Sequence, residues 1–298
     1  MGGSGRRRGE GWVYVVSVVE RYLGIARCDH SHLLAFALIL LAEDRMAIKR
    51  KSKLGPPYSS PPIFECVMEL RFRDTPRSKF AEKAARRIEG YYDHSHTDRL
   101  VNFEVTVVEG SVRTSSTEPS PFIKLSSSDQ TDACTLSTDK IYWTRLAPYK
   151  GWNEFIGRIE RDLAALSRDV GQRTLSRIGL RYRNRIDVPI EQPTQICRYE
   201  DFLEVKINLP DLLDPTSGFE WRISKEFPNL GLAAVVMSGV MQPVIPLMGA
   251  FLLDIDVFAQ IDGALDRTHI SETLVKMRNL KNEIFENSIT DVARGSFS

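Results

Sequence analysis

The chain has 298 residues, enough to bury a full hydrophobic core as one large domain or two small ones. Its 40 Lys and Arg residues stand against 39 Asp and Glu, so no net field gathers polyanions and nucleic acid is not the expected partner. Cys28, Cys66, Cys134 and Cys197 are widely separated, with no Cys-x-x-Cys pair. They read as small buried apolar residues in a reducing compartment rather than as a metal or redox site.

The first 45 residues differ in character from the rest. Their apolar runs, 13–19 and 33–42, are shorter than the ~20 residues of a membrane-spanning helix, and Glu20-Arg21 stands where a signal peptide would be cleaved. Ala42-Glu43-Asp44 can be encoded by a purine-rich ribosome-binding sequence just ahead of Met46. Met46 is therefore the expected start, with 1–45 an untranslated or disordered leader, and the cluster Cys28-Asp29-His30-Ser31-His32 carries no metal-site weight. Residues 46–60 hold Lys49-Arg50-Lys51-Ser52-Lys53 and Gly55-Pro56-Pro57, a basic, proline-rich lead-in expected to be solvated.

The folded part is expected over 61–291, before a tail at 292–298. From Pro61 to Phe72 apolar and polar residues alternate: Phe64, Cys66, Met68, Leu70 and Phe72 share one face of a strand, and Glu65, Glu69 and Arg71 share the other. Thr75-Pro76 offers an N-cap and first-turn proline for a helix over 77–92 that buries Phe80, Ala84, Ile88 and Tyr91. His94-Ser95-His96 is expected in an exposed turn. Strands over 100–108, 122–126, 133–136 and 140–146, with turns at 127–129 and 137–139, form an antiparallel meander.

Leu146-Ala147-Pro148-Tyr149-Lys150-Gly151-Trp152 follows, an aromatic loop in which Tyr149 and Trp152 pin the chain to the next helix or bind a ligand. In that helix Trp152, Phe155, Ile156, Ile159, Leu163 and Leu166 recur at helical spacing. The strand from Gly179 to Val188 places Arg181, Arg183, Arg185 and Asp187 on one face and Leu180 and Ile186 on the other. From Asp201 the pattern echoes the first half, with strands over 219–223, 230–239 and 249–258. In the last of these Asp254 and Asp256 share one face, and Leu253, Ile255 and Val257 the other. A final helix over 264–287 packs through Leu274, Met277, Leu280 and Ile284. The expected fold class is α+β: a mainly antiparallel sheet with helices on its apolar face, as a single unit or as two related halves, 61–190 and 200–291.

Pro61-Pro62-Ile63-x-Glu65-x-Val67-x-Glu69-Leu70-Arg71-Phe72, the Leu146–Trp152 segment, Gly179–Ile186, Leu253-Asp254-Ile255-Asp256 and Phe285-x-x-Ser288-Ile289-Thr290-Asp291 occur in an order that resembles a sporadically distributed family of uncharacterised bacterial proteins. The resemblance covers about 46–291. It implies a cytoplasmic bacterial setting and a single α+β unit, and brings no catalytic residues with it.

The charged strand faces are the remaining lead. Glu65, Glu69, Asp254 and Asp256 can meet Arg71, Arg181, Arg183 and Arg185 either as an ion-pair ladder or, on a concave face, as Mg²⁺ ligands beside phosphate clamps. Glu65-x-x-x-Glu69-x-Arg71 also resembles the Glu-x-Glu-x-Lys strand of triphosphate tunnel enzymes, with altered spacing and Arg for Lys. No phosphate loop, His-Glu-x-x-His or Gly-x-Ser-x-Gly motif is present. The expected function is a non-enzymatic cytosolic binding or accessory protein that engages a protein or a small anionic ligand, without a cofactor or membrane attachment. The alternatives are a Mg²⁺-dependent phosphoanhydride hydrolase or transferase and a nucleic-acid-binding protein using Arg181, Arg183 and Arg185.

Overall fold

The alternating segments pair into an antiparallel sheet, and the helical stripes lie across one of its faces. The structure, a computed structural model, describes residues 58–74, 79–100, 103–108, 111–116, 120–171, 173–190, 198–205, 210, 212, 218–244, 247–264 and 267–297. The leader, the basic run 49–53, Thr75-Pro76, Cys28 and Cys197 lie outside the described residues.

In chain order the elements are β1 (Ile63–Phe72), α1 (Phe80–Ile88), a 3-10 turn (Glu89–Tyr91), β2 (His94–Leu100), β3 (Phe103–Val108), β4 (Ser111–Ser116), β5 (Ser120–Ser126), β6 (Asp132–Leu136), β7 (Lys140–Leu146), α2 (Trp152–Val170), β8 (Thr174–Pro189), a 3-10 turn (Tyr199–Asp201), β9 (Glu220–Phe227), β10 (Leu232–Met241), β11 (Met248–Ala264), α3 (Arg267–Ser288) and α4 (Asp291–Gly295). The fold is α+β with a mainly antiparallel sheet, as expected. Nine strands run in the order β2-β5-β6-β7-β1-β8-β11-β10-β9, antiparallel from β5 through β9. The β3–β4 hairpin belongs to a second compact unit.

The long strands β1 and β8 pair at the centre of the order. The β5-β6-β7 meander ends beside β1 and leads into α2; the β9-β10-β11 meander ends beside β8 and leads into α3. Period-two alternation sends Cys66, Met68, Leu70, Ile178, Leu180, Tyr182, Leu253, Ile255 and Val257 to one face, where they form a continuous core with Phe155, Ile159, Leu166, Leu274 and Met277 of the helices. The helix α1 packs on α2 and β6, and α3 lies on β11 and β8. Beyond the expected domain end, Phe297 is buried against Tyr58 and Phe285.

Three expectations are corrected. A register shift between Ile63 and Glu65 inserts a bulge that takes Phe64 out of the core series and places its ring beneath the Arg183 guanidinium, 4.8 Å away. Helix α1 gives way to a 3-10 turn at Glu89, which changes the angular phase; Tyr91 is 49% exposed, and Tyr92 turns inward instead. The stretch 94–108 forms two strands, with His94 and His96 on exposed β2 rather than in a turn.

Candidate functional site

On the face opposite the helices, the register of the central strands stacks the charged residues in rows. One row runs Leu146, Glu65, Arg183, Asp254, Met237; the next Thr144, Val67, Arg181, Asp256, Val235; the third Tyr142, Glu69, Gly179, Phe258, Ala233. All eight charged residues read from the sequence thus share one face, with mainly negative β1, positive β8 and negative β11 side by side. Arg185 lies on the same face one row further along, opposite Leu252, but is not wired to the others: it bonds Asp187 on its own strand at 2.9 Å.

Gly179 leaves a gap in the third row, and the Arg177 side chain lies along the strand to fill it. A Cβ on residue 179 would overlap that guanidinium. From there Arg177 donates to Glu69 Oε1 at 2.7 Å and Asp256 Oδ2 at 2.8 Å and stacks over the Phe258 ring at 4.7 Å. Arg181 reaches diagonally to clamp both oxygens of Asp254. Arg183 donates to Glu65 at 2.8 Å and approaches Asp254 at 3.8 Å, and Arg71 closes on Glu69 at 3.1 Å.

The ladder is neutral and partly sealed. Asp254 is only 3% exposed although none of the described helices covers it, because Arg181 and Arg183 fold over it. The hydrogen bond to Asp254 raises the Arg181 pKa. Burial pushes the Asp256 carboxyl above its ordinary range, against the pull of Arg177 and Arg181. Each of Glu65, Glu69, Asp254 and Asp256 faces an arginine rather than another carboxylate. Among the described residues no group of three or more His, Cys, Asp or Glu side chains is placed to hold a metal ion. Among the described residues the strand order runs from β2 to β9 without closing, unlike the tunnel that the Glu65–Arg71 resemblance implied.

The aromatic loop lies on the other face. Gly151 takes φ 101°, a backbone conformation suited to glycine, as the chain enters α2. Tyr149 then packs edge-on against the buried Tyr182, with the two hydroxyls 3.1 Å apart, and Arg278 of α3 sits 5.3 Å from the Trp152 ring. Both candidates therefore pin the loop to the helix-covered side. A nearby pocket of about 40 Å³, lined by Asp132, Arg145, Lys150, Gly151, Glu154 and Phe155, has room for about three waters.

Two polar clusters beneath the helices were absent from the sequence reading. Asp162, fully buried on α2, accepts from Tyr92 Oη at 2.6 Å, Trp143 Nε1 at 2.9 Å and Arg161 at 2.8 Å. Lys281 of α3 is buried with its ammonium 4.1 Å from the Tyr182 ring centre; burial depresses its pKa to about 8 and raises that of neighbouring Cys66 to about 12. Arg177 was missed as well, although the same odd-numbered alternation, carried two residues back across Gly179, would have found it. No protein-family model matches the chain, and no curated protein matches it.

Proposed function

We propose that this chain is a non-enzymatic, cytosolic accessory protein that docks a protein partner on the open sheet face. The ladder is the observation that carries this reading. Its carboxylates are already held by arginines at 2.7–2.8 Å, so a metal or free anion would have to break those contacts on a face with no net charge to attract it. A protein surface of mixed charge can instead extend the network, since Arg71, Arg181 and Arg183 remain partly exposed. Val67, Val235 and Met237, all partly buried, add apolar area in the same rows. Arginine and methionine beside apolar side chains are the residue types enriched where proteins meet.

The cytosolic setting fits Cys66 and Cys134, both buried and unpaired. No helix among the described residues is long and apolar enough to cross a membrane. The test is quantitative affinity purification from native cells with the wild type and the double variant Arg183→Ala, Met237→Ala. A stoichiometric protein partner held by the wild type and lost from the equally folded variant is expected; equal recovery by both would refute docking on this face.

A further inference from the structure

Among the described residues β9 ends the sheet, leaving one edge of its eight-residue backbone without a strand partner. The hydrogen-bond phase of that edge is fixed. Phe219 C=O accepts from Val240 N–H at 3.2 Å, so odd-numbered residues of this strand turn their backbone groups toward β10. Glu220, Arg222, Ser224 and Glu226 turn theirs outward. The side chains from Arg222 to Glu226 are all exposed, with Ile223 at 54%. A long exposed edge of this kind is a template for another strand.

The geometry points to a second copy of the chain as that strand, β9 against β9 about a two-fold axis through Ser224, so that the two sheets become one. In this register Arg222 lies opposite the partner's Glu226, twice over, as a backbone hydrogen-bonded pair, and Ser224 pairs with the partner's Ser224. On the alternate face Trp221 meets the partner's Phe227 as a close aromatic pair. Neighbouring registers oppose like charges: a centre at Ile223 sets Glu220 against the partner's Glu226, a centre at Arg222 sets arginine on arginine, and a centre at Lys225 sets lysine on lysine. Pro228, which has no N–H, ends the pairing beyond Phe227. The axis is perpendicular to the sheet, so both charged ladders stay on the same side of the joined sheet, and the pairing is independent of what docks on them.

Sedimentation velocity on the full chain tests this. The wild type should sediment as a dimer, and Ser224→Pro, which removes only an outward-facing N–H, should leave monomer. Arg222→Glu alone and Glu226→Arg alone should each be monomeric, because each opposes like charges, while their equimolar mixture should form a heterodimer, because both cross-strand pairs are then complementary. Circular dichroism matching the wild type establishes that each variant is folded. A wild type that stays monomeric up to roughly 100 µM, a dimer indifferent to these substitutions, or folded variants that fail to associate on mixing would each overturn the proposal.

Discussion

Buried polar side chains decide how individual residues behave here. Asp162 satisfies the hydroxyl of Tyr92 and the indole N–H of Trp143 in the core. Asp162→Ala leaves both donors unpaired and is expected to cost ~3 kcal/mol or more in urea unfolding; Asp162→Leu, which also fails to accept from them, should not recover the loss. Lys281 gives a pH signature. Below about pH 8 the amine is charged in both folded and unfolded states and its desolvation cost is present in full. Between about 8 and its ordinary 10.5 only the unfolded chain keeps the proton, so stability rises with pH. The Cys66 thiol works the other way: its pKa is raised from 9.0 to about 12, so above pH 9 the unfolded chain ionises first and stability falls. The buried Cys134 thiol is raised in the same direction, so above pH 9 the two thiols together outweigh Lys281 and a stability maximum near pH 9 is expected. Lys281→Met should be about 2 kcal/mol more stable at pH 7 and lose the rise between pH 8 and 9, which denaturation across that range will read directly.

Within the elements, period and punctuation carried most of the sequence reading. β7 matches its expected bounds because strict alternation is closed by the polar turn 137–139 before it and by Ala147-Pro148 after it, and α2 begins at Trp152 where the helical stripe begins. What local pattern hides is phase change and tertiary pairing. The bulge at Phe64 reverses one side chain without any glycine or proline to mark it. Gly179 reads as a strand start, whereas it is the clearance for the Arg177 side chain in the middle of β8. Lys281 and Asp162 each stand on an amphipathic helix, and only the partners they meet across the core distinguish them from solvated charges. The ladder itself was legible as a shared face, but its wiring was not, since Arg181 bonds diagonally to Asp254 rather than to its direct neighbour Asp256. That wiring predicts unequal costs. Arg181→Ala abandons a nearly buried carboxylate to one contact at 3.8 Å and should destabilise by ~2–3 kcal/mol. Arg183→Ala breaks a partly exposed pair with Glu65 and should cost no more than ~1 kcal/mol. Equal effects in thermal or urea unfolding would contradict the assigned pairing.

For the whole molecule, one sheet presents two different surfaces. Helices α1, α2 and α3 seal one face into a core, and the other carries a neutral arginine–carboxylate ladder over its three central strands. The meanders flanking β1 and β8 have the same outward order and the same following helix, so the ladder lies where the two halves of the strand order meet. A surface already satisfied by its own ion pairs is suited to docking a matching protein surface, and poorly suited to gathering Mg²⁺ or phosphate. The direct measurement is the melting temperature of the full chain with and without Mg²⁺ plus inorganic triphosphate. The docking account expects no shift beyond about 1 °C, in the wild type and in Arg183→Ala alike. A rise of about 5 °C or more that disappears in Arg183→Ala would show that the ladder opens to take a phosphate and would contradict it.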